Sequence, residues 1–151
     1  MVDDEECIAD TLAFILRSSG YDAGSVHDGK SALHECERWT PDLVISDVVM
    51  PGVNGIDLAI AIRERYPACK ILLISGLGAS FDLVEQASRK GHSFEILAKP
   101  IRPIELLSRI TAVLTDDDFP RFTEERYTTG ERPALSFGGG QSEFRDLKTG
   151  T

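Results

Sequence analysis

Apolar residues follow two rhythms along most of the chain. Leu43-Val44-Ile45 and Ile71-Leu72-Leu73-Ile74 are unbroken runs, and Phe94 to Ala98 is nearly so. Runs of this kind suit strands covered on both faces, as in a parallel sheet. Between them the spacing is helical. Ile8, Leu12, Ile15 and Leu16 predict a helix over Glu6 to Ser19 that Gly20 closes, with Glu5 and Glu6 in its first turn, where carboxylates complement the helix dipole. Ala32, Leu33 and Cys36 share one face of a second helix over Gly29 to Trp39, ended by Thr40-Pro41. A third runs from about Gly55 to Tyr66 before Pro67. Phe81, Val84 and Ala87 mark a thinly apolar helix over Phe81 to Lys90. Ile104, Leu107, Ile110 and Leu114 are the expected inward face of the last one, Pro103 to Leu114, with Pro103 suited to its first turn.

Two stretches are weaker. Tyr21 to Val26 is short and only partly apolar, and reads as an edge strand. Met1 and Val2 alone precede the acids at Asp3-Asp4-Glu5, so a strand there is truncated. Four buried apolar residues lost at about 1.5 to 3 kcal/mol each would cost about 6 to 12 kcal/mol, as much as a whole domain's stability. The expectation is therefore a true start upstream of Met1. Strand and helix alternating along the chain imply an α/β, doubly wound five-stranded parallel sheet. That domain covers residues 1–115; residues 116–151, opening on Asp116-Asp117-Asp118 and lacking any period, read as a disordered acidic tail or a partner-binding segment.

The formal net charge of -9 and the absence of a Lys/Arg cluster argue against a nucleic-acid surface. Cys7, Cys36 and Cys69 are far apart and form no C-x-x-C pair, which suits reduced, buried thiols in a cytoplasmic protein. No apolar run approaches the roughly 18 residues that span a bilayer. No basic and apolar leader opens the chain, and there is no Walker A or GxGxxG pattern. His27, His34 and His92 lack a paired spacing, so solvated positions are expected for them, and a packing role for Trp39.

The candidate chemistry lies at strand ends. Asp47 follows Val44-Ile45-Ser46 and precedes the loop formers Met50-Pro51-Gly52 and Asn54-Gly55. Open α/β sheets hold ligands at the carboxyl ends of their strands. Alone, this Asp is as well explained as a loop cap. Asp3-Asp4, Ser75-Gly76 and Lys99-Pro100 stand at the ends of other predicted strands, and together they put acids, a hydroxyl and an amine at one edge of one sheet.

In that combination, from Met1 to about Leu114, the chain resembles the receiver domain of bacterial two-component response regulators. The resemblance implies the strand order 2-1-3-4-5, a phosphoacceptor at Asp47, and Mg²⁺ (or Mn²⁺) held by Asp4 and Asp47, by Asp3 through water and by the backbone carbonyl of Val49. It also implies that Lys99 binds a phosphoryl oxygen, aimed by a cis bond to Pro100, that Ser75 hydrogen-bonds the transferred group, and that Gly76 leaves room for the donor. Hard oxygen ligands suit such an ion, which offsets the meeting of two anions. Without it the three carboxylates would repel and raise at least one pKa.

Two departures stand out. The family has Tyr or Phe three residues before the lysine, and this chain has Ile96, so switching is expected to be altered; Phe94 lies two residues earlier on the same face. Val49 and Leu77 flank the site where relatives carry polar groups, which predicts slow loss of the phosphoryl group.

The leading expectation is a stand-alone, cytoplasmic receiver, a switch rather than an enzyme with external turnover. Its donor would be a sensor histidine kinase or a histidine phosphotransfer protein. It would bind a downstream protein, form a homodimer in some states, and insert in no membrane. The rival is a non-phosphorylated pseudo-receiver that acts as an interaction module. A haloacid-dehalogenase-type hydrolase would need a second acid where Val49 stands.

Overall fold

A computed structural model of the chain describes residues 1–76 and 81–115. The predicted strands form a parallel sheet in the order β1 (Leu43–Asp47), β2 (Lys70–Ser75), β3 (Glu95–Ala98). The helices are α1 (Glu6–Ser18), α2 (Gly29–Arg38), α3 (Gly55–Arg65), α4 (Phe81–Arg89) and α5 (Pro103–Thr115). The tail from Asp116 onward and the loop at Leu77 lie outside the described residues.

The unbroken apolar runs are explained by cover on both faces. Val44, Ile71 and Leu73 pack with α2, α3 and α4 through Ala32, Cys36, Leu58, Ile62 and Ala87. Ile45, Leu72, Ile74 and Leu97 point the other way, onto Leu16 of α1 and Leu106 and Ile110 of α5. Asp28 caps α2 by accepting from the Lys30 and Ser31 N–H groups, and Asn54 caps α3 by accepting from Asp57 N–H. Among the described residues no helix is long and apolar enough to cross a membrane.

The five-stranded expectation needs correction. Tyr21 to Val26 is not a strand among the described residues: Val26 forms one parallel bridge to Val2, the Gly24 carbonyl accepts from the Met1 nitrogen, and Val2 bridges Ser46 of β1 in turn. The order Val26, Val2, β1 is thus traced by single residues.

Two helix faces also differ from the sequence reading. In α5 the buried set is Leu106, Ile110 and Val113, whereas Ile104 is 77% exposed and Leu114 38%. In α1 it is Ala9, Ala13 and Leu16, the small alanines allowing close approach, with Ile8, Leu12 and Ile15 half-buried at the flanks. Cys36 and Cys69 are buried as expected, but Cys7 is exposed, and Trp39 stands half in solvent.

Candidate metal and phosphoryl site

The parallel direction of the sheet brings the ends of β1, β2 and β3 to one edge, where Asp47, Ser75 and Ala98-Lys99 stand. Asp47 is held from three sides. Its N–H donates to the Val2 carbonyl at 2.9 Å, one carboxylate oxygen accepts from Val48 N–H at 3.0 Å, and Gly55 lies against its backbone. A Cβ on Gly55 would collide with the Asp47 carbonyl oxygen, so this glycine is required for α3 to start where it does. The first link of that loop is Gly55 N–H donating to the Val48 carbonyl at 2.9 Å.

Asp3 is fully buried, although the strand before it is almost absent. Val2 places it: Val2 N–H donates to Ile45 carbonyl at 2.8 Å, and Asp3 N–H to Val26 carbonyl at 3.3 Å. Asp3 also accepts from Glu5 N–H at 3.0 Å, which ties the acids to the start of α1. Glu5 itself is the residue before the first turn rather than within it, and its side chain makes no cap. Asp4 is exposed next to them.

One carboxylate oxygen from each of Asp3, Asp4 and Asp47 lies within 4.8 Å of the other two. Three anionic oxygens at that separation fit a hard divalent cation such as Mg²⁺, which takes carboxylate and water oxygens. Lys99 reaches over the cluster. Its ammonium donates to Asp3 at 3.0 Å and stands 3.3 Å from Asp47. The Lys99 backbone N–H is anchored on the Ser75 carbonyl at 2.7 Å, and the Lys99-Pro100 peptide is cis.

Charge and burial oppose each other here. Burial pushes the Asp47 carboxyl above its ordinary range; the Lys99 ammonium pulls it down without cancelling that, and Asp3 adds to the rise. Burial lowers Lys99, but the hydrogen bond to Asp3 and the two facing carboxylates outweigh it, so the ammonium is held above its usual value. One cation shared by two buried anions leaves the cluster short of positive charge, and a divalent ion would supply it.

Ser75 is buried, with its hydroxyl donating to Gly76 carbonyl at 3.0 Å. Gly76 is exposed, and a Cβ there would meet nothing within 4 Å. Val49 stands 45% exposed beside Asp47. Ile96 is half-buried against the same cluster as the buried Phe94. Asp3, Asp4, Asp47, Ser75, Lys99 and Pro100 are therefore at one edge, as the strand-end pattern required.

Some contributors carried no sequence signal. Arg63 stacks 4.2 Å over the Phe94 ring and donates to the Ser93 carbonyl at 2.8 Å, so the ring two residues before Ile96 is pinned from α3. Gly55 was legible as a loop former but not as a residue pressed on Asp47. Of the histidines, His27 Nε2 lies 3.2 Å from an Asp10 carboxylate oxygen, His34 lies on α2, and His92 stacks on Phe94; none joins the acidic cluster.

Known proteins with these features are numerous. Residues 1–111 match the model of the response regulator receiver domain. The sensory transduction protein RegX3 of Mycolicibacterium smegmatis is 37% identical over 114 residues, 76% of this chain and 49% of that protein. The alkaline phosphatase synthesis transcriptional regulatory protein PhoP of Bacillus subtilis is 33% identical over 114 residues, 76% of this chain and 47% of that one. This chain thus spans about half the length of those relatives. Among solved structures, the receiver domain of NtrX from Brucella abortus has a TM-score of 0.66 at 30% identity, covering 75% of this chain and 94% of that one. The Vibrio cholerae chemotaxis protein CheY4 has a TM-score of 0.65 at 29% identity, covering 74% and 93%. A matched family model over nearly all the described residues, together with three clustered acids and a lysine at the right edge of a parallel sheet, makes this chain a member of the response regulator receiver domain family.

Proposed function

We propose that the chain is a phosphoacceptor switch: Asp47 takes a phosphoryl group from a phosphohistidine donor, and the modified domain signals by changing its contacts with a protein partner. The observation that carries this reading is Lys99 bridging Asp3 and Asp47 within a cluster that also includes Asp4. In the transfer, an Asp47 carboxylate oxygen attacks phosphorus, the phosphorus–nitrogen bond of the donor breaks, and neutral imidazole leaves once its nitrogen is protonated. A bound Mg²⁺ or Mn²⁺ supplies neutralisation of the charge that builds between the two anions. Asp3, Asp4 and Asp47 would hold it, with the Val49 carbonyl as a further oxygen. Lys99 binds a phosphoryl oxygen as a fixed positive charge. Ser75 hydrogen-bonds the transferred group, and Gly76 keeps the approach open.

The donor is a sensor histidine kinase or a histidine phosphotransfer protein, and residues 1–115 act as the receiver unit. The protein works alone in the cytoplasm, without external turnover, and self-association accompanies some states. The sheet order is that of a flavodoxin-like fold, 2-1-3-4-5, with Val26 and Val2 as remnants of its first two positions. Ile96 and the pinned Phe94 favour a response at β3 and α5 without rotation of an aromatic ring. Exposed Val49 supports slow hydrolysis of the acyl phosphate.

The test is transfer from a histidine kinase labelled on its phosphohistidine. Label should move to the wild type in the presence of Mg²⁺ and not to Asp47→Asn. A folded chain that takes no label from any kinase or phosphotransfer protein of its host, or from a small phosphodonor, would instead be an interaction module without phosphorylation.

A further inference from the structure

Ser46 is a polar side chain inside the sheet, 1% exposed, between Ile45 and Asp47 of β1. Its partners across the sheet are Leu73 of β2 and Val2, both apolar and both buried. A hydroxyl in such surroundings is costly unless it is hydrogen-bonded. It takes no part in the chemistry assigned to Asp47, Ser75 and Lys99.

The hydroxyl is spent on the backbone of the next residue. Ser46 Oγ donates to the Asp47 carbonyl oxygen at 2.9 Å, the same oxygen that leaves no room for a Cβ on Gly55. The other end of that peptide unit is the Val48 N–H, which donates to the Ile74 carbonyl at 2.9 Å and to Asp47 Oδ1 at 3.0 Å. A peptide unit is planar, so its carbonyl and its N–H turn together. Whatever grips the carbonyl therefore also sets the direction in which the N–H meets the carboxylate. With Oδ1 held in this way, Oδ2 stands 3.3 Å from the Lys99 ammonium.

We propose that Ser46 is a positioning residue for phosphoryl transfer: through the Asp47–Val48 peptide it fixes the rotation of the Asp47 carboxylate, so that Oδ2 is the oxygen that attacks phosphorus. This role presupposes that Asp47 is the phosphoacceptor. Ser46 acts at one remove, on the aim of a carboxylate that could otherwise turn about a single bond. Without the hydroxyl the peptide loses one grip, the Val48 N–H divides itself differently between Ile74 and Oδ1, and Oδ2 is presented less often along the line of attack. A misplacement of about 1 Å in a reacting atom costs about a hundredfold in rate, and partial loss of aim should cost about tenfold.

The experiment incubates the full chain, as wild type, Ser46→Ala and Ser46→Thr, with Mg²⁺ and a range of acetyl phosphate concentrations, and follows acyl phosphate by intact mass. In the reaction Oδ2 bonds to phosphorus, the bond from phosphorus to the acetyl oxygen breaks, and acetate leaves with the electron pair. Ser46→Ala should show a maximal rate about tenfold lower at an unchanged half-saturating donor concentration, and Ser46→Thr, which keeps the hydroxyl, should stay within about threefold of wild type. The Val48 amide proton, read by NMR without metal, should move upfield in Ser46→Ala and hold its place in Ser46→Thr, a change that lower stability alone would not produce. Circular dichroism checks that each variant is folded. Transfer by Ser46→Ala at the wild-type rate, or an unmoved Val48 amide proton, would overturn the role of Ser46 and leave Asp47 as the acceptor. So would Ser46→Thr slowed as much as Ser46→Ala. A folded wild type that gains no phosphoryl group would overturn the acceptor reading, and the role of Ser46 with it.

Discussion

The two flanks of β1 are built very differently. Toward β2, the strand shares a continuous register from Leu43↔Lys70 to Asp47↔Ile74, and both faces of that pair are closed by helices. On its other side β1 meets Val2 through a single bridge, and Val2 meets Val26 through another. Yet the acids carried by the two flanks, Asp47 and Asp3, arrive within reach of the same lysine. Site geometry in this fold thus depends on the last paired residue of a strand, and stability on the residues before it. Two hydrogen bonds at Val2, its N–H to the Ile45 carbonyl and its carbonyl from Asp47 N–H, suffice to aim Asp3.

The comparison breaks most severely at Gly55, where the loop after the well-built flank meets Asp47. Gly55→Ala should cost about 4 kcal/mol or more, because the new methyl group has only backbone to displace; chemical denaturation measures it. Next is the contrast between the flanks. Leu72→Ala, at a fully buried position, should cost about 2 to 5 kcal/mol, whereas Val2→Ala, which removes two carbons at the sparse side, should cost about 1.5 kcal/mol. Equal losses would mean that the single bridge is as firmly packed as the ladder. Asp28→Ala, which deletes the cap of α2 next to Val26, should cost about 1 kcal/mol. That contribution also titrates: the Ser31 hydroxyl and N–H hydrogen bonds hold the Asp28 carboxyl below its usual range, so it is present above the unfolded pKa and lost as pH falls through the folded one.

The smallest effect is identified by its sign. In Lys99→Met, Asp47 keeps the burial and the Asp3 charge that raise it and loses the ammonium that lowers it. A carboxyl raised on folding costs stability above its folded pKa and returns it as pH falls. The variant should therefore gain stability relative to wild type as pH drops from neutrality, and Mg²⁺ should restore part of the loss at neutral pH. Melting temperatures across pH, with and without Mg²⁺, are the check.

Much of the site was legible because its residues sit next to strong local signals. Unbroken apolar runs located β1 and β2, and the residues just after the strands had to lie at one edge of a parallel sheet. What failed was whatever depended on a neighbour. Tyr21 to Val26 reads as a strand only if another strand runs beside it. The helix Pro103–Thr115 carries two apolar stripes, Ile104-Leu107-Leu114 and Leu106-Val113, which meet at Ile110, and periodicity alone cannot choose between them. Ala9 and Ala13 are the buried positions of α1 although larger apolar side chains flank them, a fact of packing rather than of hydropathy. The Arg63 and Phe94 contact joins residues far apart in sequence and has no local signature.

The central claim is that three carboxylates and one ammonium at this edge make Asp47 an acceptor. Its most direct measurement is intact mass after incubation with acetyl phosphate and Mg²⁺, with the modified residue mapped by peptide analysis. The account predicts a gain of one phosphoryl group, located on Asp47, abolished by removal of the metal and absent in Asp47→Asn. A folded wild-type protein that gains no mass, or gains it at another residue, would contradict it.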